Sequence, residues 1–324
     1  METRKVGKLG AASLVVSLPA DWVRLTGIRK GDDVYVYPHG LSLVVTPREQ
    51  KRDRGEAVVD VVDAHGAVIS IFARYVQGFD SIRLVAGKAS KKEVDDVLDA
   101  VDSHLLGVEV LSQSRDGVTL QVFTREQASL PQLFKRLRFV IKSLSALLIQ
   151  EMRGARFDSA QIKTLTKSAF KLYFLTLRLV YGASRGSRAL AESKLSFSEL
   201  ISFALCAKNI GGILDAVNKV VRSYDDLNAG FEQNADLIGV VERAVALYSR
   251  CLTAFLENER LDFGEVRRER RNLIVAASAS FGRASGLMEE EARVLRNTQS
   301  LAHDLADRAG ELMELEANAE GFKE

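Results

Sequence analysis

The chain has 324 residues, with 45 Lys and Arg against 43 Asp and Glu and a formal net charge of +2. That length predicts two or three domains, and a balance so near zero excludes any inference about partners from overall charge. The two cysteines, Cys206 and Cys251, form no spacing motif, which fits a reduced, cytoplasmic protein and excludes a disulfide scaffold.

The most informative elements come first. Arg4-Lys5-Val6-Gly7-Lys8-Leu9-Gly10 precedes an apolar run from Ser13 to Leu18, then Pro19-Ala20-Asp21-Trp22-Val23. Thr26-Gly27-Ile28-Arg29-Lys30-Gly31-Asp32-Asp33-Val34-Tyr35-Val36 follows. The order predicts a short strand, one or two helical turns with Pro19 at the first helical position, a stop at Gly27, a turn at Gly31-Asp32 and a second strand pair. A unit this small cannot close a core alone. It needs a second copy, and a symmetric pair presents a two-fold basic surface of the kind that meets a DNA duplex.

These segments, ending with "LSLVVTP" as the last strand, resemble the swapped-hairpin DNA-binding domain of the AbrB/SpoVT/MazE class. The resemblance implies a dimerising DNA-binding domain over residues 1–50, with DNA contacts on Arg4, Lys5, Lys8 and Arg24. One departure counts against it. After Gly10, where many members carry another basic residue, this chain has Ala11-Ala12-Ser13.

The charged run Arg48 to Glu56 reads as a linker. Residues 56–126 read as a small α/β domain of order βαβαββ, a two-layer sandwich. Its expected elements are a strand at Ala57 to Val62, a helix at Gly66 to Gln77, a strand at Ser81 to Ala86, and a helix opened by Ser90. Glu93 completes a capping box there. Strands Val108 to Leu111 and Val118 to Phe123 form a hairpin around Arg115-Asp116-Gly117. His65 and His104 are isolated, and neither a phosphate-binding glycine loop nor a catalytic cluster accompanies them.

All four prolines lie at or before Pro131. The long Pro-free remainder, with apolar residues at helical spacing, predicts an all-α domain over 130–324. Six helices are expected, at 130–154, 158–183, 195–223, 233–258, 262–283 and 285–319. Two sets of three suggest an internal repeat, or a bundle built of two three-helix halves. The fold class is therefore multidomain α+β. Leu172 to Tyr181 is apolar but interrupted by Arg178, which reads as a buried bundle helix, and no stretch reads as a membrane span. Charge is unevenly spread. Residues 131–190 carry twelve Lys and Arg against only Glu151 and Asp158, whereas 231–324 carry twelve against eighteen Asp and Glu.

Two segments resemble the PhoU family of phosphate-response regulators. They are the stretch from Lys171 through Leu172-Tyr173-Phe174 to Val180, and Phe203-Ala204-Leu205-Cys206-Ala207-Lys208-Asn209-Ile210-Gly211-Gly212-Ile213-Leu214-Asp215 onward to Val220. Archaeal proteins with an AbrB-like head, a short α/β middle and a PhoU-like tail have this length and order. The resemblance implies a regulator of phosphate uptake, with a phosphate transporter ATPase or a signalling protein as partner.

The family's metal-holding carboxylates are only partly present. Gly211 and Gly212 stand where the family has Glu and Arg, leaving Asp215, and Thr166 and Phe170 stand near its second-helix acids. His303, Asp307 and Glu311 are spaced four apart and have the donor types for a metal. An ordinary exposed stripe is the favoured reading of that row, so no cofactor is expected. The double glycine implies a tight crossing, a kink, or a lost metal site filled by packed backbone. No nucleophile–base arrangement, HExxH or Walker loop is present, so an enzyme is not expected. A DNA-binding transcriptional regulator is the leading expectation. The alternative is an adaptor that dimerises through the head and docks its bundle on a transporter or kinase.

Overall fold

The computed structural model describes residues 2–10, 13–39, 42–48, 56–123, 129–154, 157–185, 195–227, 235–279 and 287–320. Small sheets near the N-terminus are followed by a helical region, an α+β fold. The chain divides into two compact units, Met1–Asp53 with Gly186–Ser196, and Arg54–Arg185 with Phe197–Glu324. We call them the head and the body.

In the head, β1 (Gly7–Leu9) and β2 (Ser13–Val15) form an antiparallel ribbon in which Lys8 lies opposite Leu14. Helix α1 (Ala20–Thr26) stops at Gly27, whose φ of 69° lets its N–H reach the Val23 carbonyl. Pro19 sits one residue before the first helical position, at the N-cap with ψ of 133°. It still withholds a donor that the first turn does not use. The turn into β3 (Val34–His39) is closed by Asp32, whose carboxylate accepts the Arg29 N–H at 2.7 Å. Strand β4 (Ser42–Pro47) pairs antiparallel with β3. Among the described head residues no apolar side chain is buried, and Thr46 alone is. Most of the expected linker, 49–55, lies outside the described residues.

The body opens with β5 (Glu56–Asp60), α2 (Ala64–Val76), β6 (Ser81–Val85), α3 (Lys91–His104), β7 (Val108–Gln113) and β8 (Gly117–Val122), the expected βαβαββ order. The sheet runs β5-β6-β8-β7, with β5 and β6 parallel and the other pairs antiparallel. Alternate residues of each strand point inward, so Val59, Ile82, Leu84 and Leu120 pack with Ile71 and Val97 of the helices. Ser90 and Glu93 make the expected capping box. Helix α2 begins earlier than its apolar spacing indicates, because Asp63 caps it by accepting the Gly66 N–H. Strand β7 runs on to Gln113 through an irregularity between Val110 and Ser112. A bulge of this kind re-registers a hairpin and hides the strand end from simple alternation.

Among the described residues six helices follow: α4 (Leu130–Arg153), α5 (Ala160–Arg185), α6 (Phe197–Asp225), α7 (Ala235–Glu257), α8 (Phe263–Ala279) and α9 (Glu289–Glu320). Helix α5 passes through Gly182 and ends at Arg185, just beyond the expected end at 183. One glycine costs a helix only about 1 kcal/mol, and the buried neighbours Val180 and Ala183 outweigh it. Helix α9 starts later than expected, where Glu291 accepts the Met288 N–H. Among the described residues helix α6, which carries Lys208 and Asp215, is the one helix long and apolar enough to cross a bilayer by length and composition, and 56% of its most apolar window is buried by neighbours.

Helix α5 packs between α4 and α6, while α7, α8 and α9 pack on one another; α4 meets α7, and α6 meets α9. Helix α5 also packs on α2 and α3. There Phe174 meets Phe72 at 4.7 Å, and Phe170 meets His104 at 5.0 Å. Arg178 anchors this seam. Its guanidinium is nearly buried, donates to the Tyr75 and Phe79 carbonyls at 2.7 and 2.9 Å, and pairs with Asp80. It also lies over the Tyr75 ring, 5.1 Å from the centroid. The compact body therefore spans both sides of the 126–130 division drawn from sequence.

Arg178→Met takes this donor from the Phe79 carbonyl, while the Tyr75 carbonyl keeps its bond from the Gly78 N–H, and should lower unfolding free energy by about 1–3 kcal/mol. Asp80→Asn removes only a half-exposed partner and should cost less than about 1 kcal/mol; urea titration distinguishes the two. Burial holds the His104 imidazole below its usual range, opposed by its bond to the Ala100 carbonyl. The unfolded chain then binds this proton first. Stability should be full above about pH 6.5 and fall as pH drops from there through the folded value. His104→Phe should flatten the change in urea midpoint between about pH 7.5 and 5.5.

Candidate functional site

Two places in the protein hold the residues singled out from sequence. The first is the β1–α1 region of the head. Arg4 and Lys5 precede β1, Lys8 lies within it, and Arg24 lies in the last turn of α1. All four are exposed. Arg4 pairs with Glu2, and Arg24 with Asp21 one helical turn earlier. Such open pairs are worth little. Lys5 and Lys8 have no ion-pair partner among the described residues. Strand alternation puts Lys8 on the opposite face from Leu9. Leu9, Leu14 and Val16 are 66%, 73% and 51% exposed, and Leu25 beside Arg24 is 85% exposed. The basic residues thus stand on a framework whose apolar side chains lack cover within the head.

The second place is the crossing of α6 with α5, α7 and α9. Gly211 is buried against α5: a Cβ there would come within 2.7–2.9 Å of the Tyr173 ring. Gly212 faces α9, and a Cβ there would lie 2.1 Å from the Arg308 guanidinium. The glycines are therefore a close crossing within a continuous helix. Asn209, one turn earlier, is the polar hub. Its amide donates to the Arg308 carbonyl at 3.0 Å and to Glu311 at 2.9 Å, and its oxygen accepts from the Tyr248 hydroxyl at 3.0 Å. Burial pushes the Tyr248 phenol well above its usual value. Tyr173 is pushed up to about 12, first by burial and then by the Asp215 charge.

The candidate metal ligands do not converge. His303 meets Asp307 at 3.1 Å, but Asp307 is also gripped by Arg270 at 2.6 and 3.1 Å. Glu311 turns to Asn209, and Asp215 is exposed on α6. Among the described residues no group of three His, Cys, Asp or Glu could hold a metal ion. Thr166 is buried with its hydroxyl bonded to the Ile162 carbonyl, and Phe170 is buried against His104. A cationic Arg308 at Gly212 and a bonded amide at Asn209 occupy this crossing.

Asn209, Tyr248 and Arg308 were missed in the sequence. The available signal was an Asn beside two glycines inside an otherwise apolar run, since such a polar group must find partners when buried. Comparison with protein-family models, with curated proteins and with solved structures finds no match for this chain.

Gly211→Ala should lose about 1–3 kcal/mol through overpacking against Tyr173, despite the gain in helix propensity. Gly239→Ala on α7 has open space and should gain up to about 1 kcal/mol. Opposite shifts in thermal midpoint identify the crossing as the cause.

Proposed function

We propose that the protein is a homodimeric, DNA-binding transcriptional regulator of the PhoU-like type, acting on phosphate uptake. The observation that carries this reading is the uncovered head. Two short ribbons and a seven-residue helix leave Leu9, Leu14, Val36 and Leu43 more than half exposed, with no buried apolar side chain among the described residues. A second copy supplies the missing apolar cover, and swapped-hairpin pairing is the arrangement that the resemblance implies. Pairing doubles the basic set of Arg4, Lys5, Lys8 and Arg24 about a two-fold axis. Two-fold protein symmetry is then matched by two half-sites on DNA. The assignment to phosphate homeostasis is supported by the resemblance of the α5 and α6 segments to the PhoU family. The bundle is the sensing or docking part of this regulator.

Fluorescence anisotropy on the chain's own upstream duplex and on random duplex tests the reading between about 50 and 200 mM salt. Selective, salt-sensitive binding is expected. Lys5→Ala/Lys8→Ala removes four cations from a dimer and should reduce the slope of log K against log salt by about 3–4. Unchanged affinity and slope would show that this surface does not meet DNA. Trp22, the single tryptophan, is half-buried in α1, and its emission should shift on dilution as the pair separates. A concentration-independent monomer would remove the basis of the proposal.

A further inference from the structure

The body carries an open groove where α4, α5 and the turn after α3 meet. Phe139 and Val140 of α4 and Leu172 of α5 supply its apolar lining, Leu106 closes one side, and Ser168 lies beside them. Lys135 and Arg136 stand on the α4 wall and Lys171 on the α5 wall. The volume is about 560 Å³, enough for a few side chains of a partner segment.

The chemistry of this groove is one-sided. Its lining holds three cations and no carboxylate. Lys135 and Arg136 have no ion-pair partner among the described residues, and Lys171 approaches only Asp102, at 4.0 Å, whose side chain is 90% exposed. Phe139, which shares the groove with these cations, is 71% exposed. Within residues 131–190 the only acids are Glu151 and Asp158, so nothing nearby in sequence compensates the charge.

We propose that the groove docks an acidic amphipathic helix of a partner protein. Apolar residues at i, i+3 or i+4, and i+7 seat on Phe139, Val140 and Leu172. Carboxylates flanking that stripe meet Lys135 and Arg136 on one wall and Lys171 on the other. A small inorganic anion would leave the apolar lining unused. A nucleic-acid strand would find few polar groups there to read its bases. Cations on two walls and an exposed aromatic ring in the same groove match the two polar flanks and apolar centre of such a helix. The proposal does not depend on the head binding DNA.

The test uses the full chain and a fluorescein-labelled synthetic helix with Leu at i, i+3, i+4 and i+7 positions and Glu on both flanks. Saturable anisotropy is expected. Lys135→Ala/Arg136→Ala and Phe139→Ala should each weaken binding by about tenfold or more. Arg267→Ala/Arg268→Ala, a basic pair exposed on α8, should leave it unchanged. Changing the peptide's Glu to Gln, or its Leu to Ala, should each weaken it to a similar degree. Thermal melts of the variants confirm that these exposed substitutions leave the body folded. Equal binding by wild type and both groove variants would overturn the proposal, as would full binding of the Leu-to-Ala peptide. Tighter binding of labelled oligothymidylate, lost on the Lys135/Arg136 change, would reassign the groove to nucleic acid and also overturn it.

Discussion

The guanidinium of Arg178 ties the two layers of the body together. It comes from the middle of a bundle helix, yet its hydrogen bonds go to the end of α2 and the loop entering β6. A charge that deep is tolerated because two carbonyls, a carboxylate and an aromatic face take it up together. The Tyr75 carbonyl lies in the last turn of α2 and also accepts the Gly78 N–H, and the Phe79 carbonyl lies in the loop that follows. The aromatic contacts of Phe170 and Phe174 with His104 and Phe72 then exclude water along the seam. The α/β sandwich is a layer of the same body as the bundle, with α5 belonging to both.

A second constraint acts inside the bundle. At Gly211 the Tyr173 ring of α5 fills the space a side chain would need, and at Gly212 the Arg308 guanidinium of α9 lies where a Cβ would go. Close approach brings backbone and polar groups together, and Asn209 satisfies them by donating twice and accepting once. A buried amide bonded to two neighbouring helices constrains their register.

The head follows the opposite logic. Its local rules are all met: a left-handed glycine ends the helix, an Asp-closed turn follows, and two ribbons pair in register. Local rules nevertheless leave its apolar side chains in water, because about fifty residues of thin ribbon enclose too little volume. Proposed pairing with a second copy answers that deficit and gives its exposed cations a two-fold arrangement. The body needs no such help to close its own core, and its apolar-basic groove is a separate feature.

Much of this architecture is legible in the residues themselves. Ser90 with Glu93, Gly27, the Arg115-Asp116-Gly117 turn and the helical spacing after Pro131 each specify local geometry through interactions within a few residues, so sequence alone determined the element order and placed the element bounds to within about four residues. It failed where distant chain segments decide the outcome. Arg178 reads as an interruption until the Tyr75 and Phe79 carbonyls arrive to receive it. Gly211-Gly212 left crossing and kink open until Tyr173 and Arg308 were in place. The row His303, Asp307 and Glu311 shares a helix face, yet Arg270 and Asn209, from other helices, direct its carboxylates apart. Sequence determined the elements because their signals are short-range. Tertiary structure decided the sites, because a buried charge, a glycine or a carboxylate takes its role from the partner that reaches it across the fold.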